Sequence, residues 1–206
     1  MIVVNDLCTG YARASPLLKG FNYQFDNKIY GILGSSGCGK TTLLRTIAGL
    51  TKPLSGEILV DGVKVSQPSK SGIYMMHQNY TSFDWLTCID NVLIAKKIQG
   101  NITDEDREDA KRMLEVVKLG EHIDKYPRQL SGGMRQRLAL ARTLFINPKI
   151  ILMDEPLSAL DGKTRNEMQN LILDIHKRTN NTIIMVTHSV DEANKMCDEI
   201  INFKEN

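Results

Sequence analysis

Residues Gly34-Ser-Ser-Gly-Cys-Gly-Lys-Thr41 read G-x-x-x-x-G-K-[ST], and this string constrains the fold more than any other stretch of the chain. It works only where a strand delivers the backbone to a glycine loop and a helix carries it away. The glycines then let the backbone wrap around phosphate, while the helix N-terminus aims several N–H groups at the anion. The flanks provide both elements: Lys28-Ile-Tyr-Gly-Ile-Leu33 is a short apolar run stopped by glycine, and Leu43, Leu44, Ile47 and Ala48 recur at helical spacing. The nucleotide-binding residues expected from the loop are Gly34, Ser35, Ser36, Gly37, Cys38, Gly39, Lys40, Thr41 and Thr42. Lys40 would neutralise the β- and γ-phosphates, and Thr41 would offer its hydroxyl to Mg²⁺. Cys38 fills a free position of the motif and reads as a tolerated small residue.

Elements of both kinds continue on either side. Ile2 to Leu7, Phe21 to Phe25 and Glu57 to Val60 read as short antiparallel strands, the last entering a hairpin at Asp61-Gly62. Gly72 to Met76 is another strand, and Tyr30 reads as core. Helical periodicity then runs through Cys88 to Gln99, Asp104 to Lys118 and Ser131 to Ile146. Strands return at Lys149 to Met153 and Thr182 to Thr187, separated by a helix over about Lys163 to Arg178 and followed by Glu199 to Phe203. This order implies an α/β fold of the P-loop NTPase type: a mainly parallel sheet, a small antiparallel β subdomain and an inserted α-helical lobe. The expected division is one domain over 1–206, with a nucleotide-binding core and β subdomain in 1–78 and 147–206 and the helical lobe in 79–146.

Two further stretches carry chemistry. Ile150-Ile-Leu-Met-Asp154-Glu155 is an apolar strand ending in two acids, and the carboxyl ends of parallel strands are where open α/β sheets bind ligands. Asp154 can reach Mg²⁺, and Glu155 can orient or deprotonate an attacking water, a role worth about 10² to 10⁴ in rate. Leu130-Ser-Gly-Gly-Met-Arg-Gln-Arg137 starts a helix, with Ser131 as N-cap, Gly132 and Gly133 exposing backbone N–H groups, and Leu138, Ala141 and Phe145 on the apolar face. That helix end is a second anion site.

With these parts in place, the chain resembles the ATP-binding cassette (ABC) family along nearly its whole length. The phosphate loop, Gln78, the signature Leu130 to Gln136 and Asp154-Glu155 stand in family order, followed by Ser158-Ala-Leu-Asp161, which looks like the D-loop, and by His188, which looks like the switch histidine. The resemblance implies ATP and Mg²⁺ as cofactors, with Thr41, Gln78 and Asp154 about the metal and Lys40, Glu155 and His188 as catalytic residues. Tyr11 stands where family members stack an aromatic ring on adenine, although it also reads as a turn or core tyrosine. The family places the signature of one subunit against the phosphate loop of another, so Ser131, Gly132, Gly133 and Gln136 would act in trans within a homodimer or a heterodimer of ATPase subunits. ATP closes that dimer and hydrolysis releases it.

The stretch Gln78 to Thr87, with Ile89 to Val92, is similar to importer ATPases of the nitrate, sulfonate and taurine group, although Asp84 stands where those often have proline. Phe83, Trp85 and Leu86 are open to two readings: a groove for a permease helix, or packing of the helical lobe. The implied partners are integral membrane permease subunits and an extracytoplasmic substrate-binding protein, with the chain at the cytoplasmic face of the membrane. Lys plus Arg number 26 against 24 Asp plus Glu, so no global positive field marks a nucleic-acid partner. No apolar run approaches the roughly 18 residues of a membrane span, and Cys8, Cys38, Cys88 and Cys197 lack metal or disulfide spacing, consistent with a reducing cytosol. The short stretch after the last strand leaves no room for a regulatory module. An exporter ATPase, or a non-transport ABC ATPase acting on DNA or the ribosome, remains the alternative. A degenerate binding module is opposed by Glu155 and His188.

Overall fold

The structure, a computed structural model, describes residues 1–10, 16–68, 72–77 and 82–203. The chain divides into two compact units. The first comprises Met1–Met75, Pro148–Glu155 and His176–Asn206. The second comprises Met76–Asn147 and Pro156–Ile175.

In the first unit, β1 (Ile2–Thr9), β2 (Leu18–Phe25), β4 (Ser55–Val60) and β5 (Val63–Lys64) form an antiparallel sheet in the order β2-β1-β4-β5. Strand β1 shows why a simple alternation reading is incomplete. Its buried residues are Ile2 and Val4, then Leu7 and Thr9, so the inward phase shifts by one residue midway. A bulge absorbs the shift: the ladder to β2 breaks between Val4 and Leu7, and Asp6 adopts φ 44 with its N–H donating to Asn22 Oδ1 at 2.8 Å. Gly56 lies against this bulge at φ 78, where an added Cβ would collide with the carbonyl oxygens of Asn5 and Asp6. Asp61 and Gly62 both take positive φ, the geometry of a tight hairpin turn, as the Asp-Gly pair predicts.

The other sheet has the order β6-β7-β8-β3-β9, from β3 (Ile29–Gly34), β6 (Ile73–Met76), β7 (Ile150–Asp154), β8 (Thr182–Val186) and β9 (Glu199–Phe203). Its β7–β8, β8–β3 and β3–β9 pairs are parallel, and every residue of β7 and β8 is buried. Continuous apolar runs such as Ile150 to Met153 therefore belong to strands covered on both faces. Helix α1 (Lys40–Ile47) packs Leu43, Leu44 and Ile47 into one core shared by both sheets, with Ile2, Phe25, Ile58, Leu152 and Ile184. Tyr30 is 1% exposed and its hydroxyl donates to Asp26 Oδ1 at 2.5 Å, so the expected core tyrosine also has a partner for its polar end. Helix α6 (Val190–Met196) packs on β3.

The second unit is helical: α2 (Cys88–Gln99), α3 (Asp104–Val116), α4 (Gly132–Phe145) and most of α5 (Gly162–Thr179). Each of α2 to α4 begins at a side-chain cap: Thr87, Thr103 in a full capping box with Asp106, and Ser131. Residues 156–175, expected in the nucleotide-binding core, belong to this unit. Two side-chain contacts lie within the unit. Gln136 of α4 accepts the N–H of Ala159 at 3.0 Å, and Lys118 pairs with Glu167.

Candidate functional site

The loop from β3 into α1 has the geometry its glycines require. Gly37 and Gly39 take φ of 85 and 99, and a Cβ on Gly39 would stand 3.0 Å from the Leu17 side chain. Gly39 is also the N-cap of α1, where no side chain bonds the helix N-terminus and no acid lies in the first turn. The first-turn N–H groups and the positive end of the helix dipole are thus left to an external anion. Lys40 is 5% exposed and its ammonium donates to the carbonyls of Gly34 at 2.8 Å and Ser35 at 2.6 Å. Its charge sits inside the curl of the loop, with Cys38 Sγ at 3.8 Å. Ser35, Ser36, Gly37 and Thr41 are exposed, whereas Thr42 is buried on the core side.

The strand carrying this loop is flanked by β8 and β9, and β7 lies beyond β8. Asp154, at the end of β7, is 2% exposed. Glu155 follows at φ 51, with its N–H bonded to Val186 O at 3.0 Å, so the chain turns sharply at the sheet edge. That turn brings Glu155 Oε1 to 2.6 Å from His188 Nε2, which rises from the end of β8. The glutamate side chain is 17% exposed and the histidine side chain 49%. The acid, the histidine and the phosphate loop thus share one unit and one edge of one parallel sheet.

His188 is held from both sides by residues that periodicity did not single out. The Thr187 hydroxyl donates to Glu192, Ser189 N–H donates to Thr187 Oγ1 at 3.1 Å, and Glu192 N–H donates to Ser189 Oγ at 3.2 Å. Ser189 followed three residues later by Glu is the cap signal that could have found this turn.

In the helical unit, Ser131 Oγ caps α4 by accepting from Met134 N–H at 3.3 Å, and Ser131 and Gly132 are exposed. Gln136 differs: it is 0% exposed and bonded to Ala159 of its own chain. This bond within the chain ties Gln136 to the loop that carries Ser158 and Asp161. Gly133 faces the same loop, where an added Cβ would come within 3.2 Å of Ala159 O. Arg165 clamps this loop through the carbonyls of Leu160 at 2.6 Å and Leu157 at 3.4 Å. Ser158 is exposed at its tip. Asp161 ends the loop as the cap of α5, accepting Thr164 N–H at 3.0 Å, and that bond lowers its carboxyl below the usual range.

The turn at Phe83 to Thr87 is fixed by Asn91, a buried polar residue that no motif marks. Its amide donates to the carbonyls of Phe83, Leu86 and Thr87 at 2.9 to 3.1 Å and accepts Phe83 N–H at 2.8 Å. Trp85 stays 73% exposed, its ring 5.3 Å from that of Phe83, and the Arg142 guanidinium also lies over the Phe83 ring. Tyr11 and Gln78 lie outside the described residues.

Residues 18–158 match the model of the family described as ABC transporter. An uncharacterised ABC transporter ATP-binding protein of Methanocaldococcus jannaschii is 46% identical over 86% of this chain and 66% of its own length. The nitrate import ATP-binding protein of Synechocystis is 42% identical over 92% of this chain and 71% of its own. The chain spans as little as 46% of other curated relatives that it matches. Among solved structures, a dimeric ATP-binding cassette in a post-hydrolysis state bound to ADP and phosphate aligns with TM-score 0.89 and 30% identity, over 99% of this chain and 94% of that one. With the phosphate loop, the two acids and the histidine on one sheet edge, and with the match covering most of the sequence, the chain belongs to the ABC transporter family.

Proposed function

We propose that this chain binds and hydrolyses ATP as the motor subunit of a membrane transporter that imports a small solute. The observation that carries the reading is the 2.6 Å approach of Glu155 to His188, at the edge where β3 delivers the phosphate loop. A carboxylate held there can align a water against the terminal phosphate and take its proton, while the imidazole can donate to the phosphoryl oxygens that gain charge. Lys40 and the first-turn N–H groups of α1 hold the β- and γ-phosphates.

Thr41 and Asp154 fit Mg²⁺. Both present hard oxygen donors, the kind this ion takes alongside phosphate oxygens, and among the described residues no group of three or more His, Cys, Asp and Glu offers a separate metal centre. Bound there, the metal would neutralise phosphate charge. Gln78 joins this set by resemblance.

Two copies, or this chain and a related one, pair head to tail, with Ser131, Gly132 and Gly133 of each facing the phosphate loop of the other. The exposed, capped N-terminus of α4 supports this arrangement, and the solved relative is itself a dimer. Relatives named for nitrate, taurine and aliphatic sulfonate import support the direction of transport. In this reading the pore belongs to permease subunits, at whose cytoplasmic face the chain docks; no helix among the described residues is long and apolar enough to cross a membrane. An exposed Trp85 on a turn made rigid by Asn91 suits that contact. An extracytoplasmic binding protein completes the importer.

Light scattering on the Glu155→Gln variant tests the shared-site mechanism. With saturating Mg-ATP the variant should be a dimer, because closure is retained and the hydrolysis that reopens it is not. A monomer under those conditions would refute it.

A further inference from the structure

The closed ring formed by Thr187, Ser189 and Glu192 surrounds the one residue of its turn that points to chemistry. From its geometry we infer that Thr187 and Glu192 are positioning residues for hydrolysis, setting the orientation of His188 without touching the substrate. The inference rests on the assignment of His188 as a catalytic residue.

Each link has a polar group at both ends. The Thr187 hydroxyl donates to the Glu192 carboxylate and accepts Ser189 N–H at 3.1 Å, and the Ser189 hydroxyl accepts Glu192 N–H at 3.2 Å. Thr187 is 4% exposed and Glu192 7%, so these bonds form away from water, where they are strong and costly to leave unmade. The Thr187 backbone adds a bond to Ile32 O at 3.3 Å, on the strand that runs into the phosphate loop. His188 therefore has both neighbours pinned, one of them to the strand that carries the nucleotide site. Its own side chain stays half exposed, with Nε2 turned to Glu155.

Packing alone does not explain the arrangement. A buried carboxylate is expensive unless ionically paired or fully hydrogen-bonded, and a valine and a leucine would fill the same space without that cost. Polar groups kept at such a place act by direction: they fix the backbone at 187 and 189, and with it the angle at which the imidazole leaves the turn. Displacing a catalytic group by about 1 Å costs on the order of a hundredfold in rate.

Thr187→Val keeps the shape and removes the hydroxyl, Thr187→Ser keeps the hydroxyl, and Glu192→Leu removes the acceptor. Steady-state hydrolysis of Mg-ATP by each purified chain, with thermal melting to confirm folding, should show kcat reduced roughly ten- to a hundredfold for Thr187→Val and Glu192→Leu. KM should stay within about twofold, because the phosphate loop is untouched. Thr187→Ser should recover most of the rate. Should one of the apolar variants fail to fold, the other carries the test. His188→Ala is measured beside them: if it hydrolyses ATP normally, the assignment of the histidine falls. If His188→Ala is slow while a folded Thr187→Val or Glu192→Leu keeps the parental kcat, or raises KM in place of lowering kcat, the positioning role is overturned and the histidine assignment stands.

Discussion

Glu155 Oε1 lies 2.6 Å from His188 Nε2, joining the turn after β7 to the turn after β8. Neither residue is near the other in sequence, and neither turn has strong local periodicity. The contact exists because β7 and β8 are adjacent and parallel, with Asp154 opposite Val186 at their common end. Side chains one and two residues beyond that register meet over the sheet edge, which is the place a parallel sheet offers to a ligand.

Lys40→Ala should weaken ATP binding before any chemistry is measured. The ammonium is curled into the phosphate loop against the carbonyls of Gly34 and Ser35, so the substitution removes a charge from the middle of the anion site. A charge-assisted bond of this kind is worth about 1.5 to 3 kcal/mol, or roughly ten- to a hundredfold in Kd. Fluorescent-nucleotide titration checks it, and an unchanged Kd would remove the loop from the account.

Gln136→Ala should act within the chain, not between chains. The fully buried amide is the acceptor for Ala159 N–H, and losing it leaves that donor without its partner at a cost of about 1 to 3 kcal/mol. For a chain of this size that is a fall in Tm of roughly 2 to 4 °C per kcal/mol. The loop carrying Ser158 then loosens against α4, and hydrolysis should fall with it. A variant that melts like the parent would show the bond to be dispensable.

Acid should destabilise the helical unit through Asp106. Its carboxylate accepts from Lys96 and from the N–H and hydroxyl of Thr103, and these bonds hold it down to about 2, the Lys96 contact contributing most. An unfolded aspartate titrates near 3.9, so the native state binds this proton less readily. Its contribution is complete above that value and is lost as pH falls from about 4 toward 2. Thermal melts of Asp106→Asn should therefore show a shallower loss over this window than the parent. Parallel slopes would mean that Asp106 carries no such linkage.

Much of this architecture was legible in the sequence, and the exceptions have physical reasons. Strand β9 and the loop from Gly34 to Thr41 fall where the apolar runs and glycines put them, because both signals are local. Helix α6 leaves no clear signal in the sequence: seven residues with Ala193 and Met196 inward are too short for a helical period to stand out. The bulge at Asp6 hid the phase of β1, since alternation assumes a regular ladder. Buried polar residues were the least visible. Asn91 and Glu192 look like surface residues, and Gln136 and Thr187 show no partner, until turns and backbone that no periodicity marks supply one. The roles proposed for Tyr11 and Gln78 rest on the family resemblance.

The central claim is that Glu155 performs hydrolysis at a site which binds ATP without it. Single-turnover hydrolysis and equilibrium binding of Mg-ATP by Glu155→Gln, measured on the same preparation, test this most directly. The account predicts a Kd within about threefold of the parent and a rate lower by about 10² to 10⁴, the usual contribution of a positioned general base. Hydrolysis at the parental rate with ATP bound would contradict it.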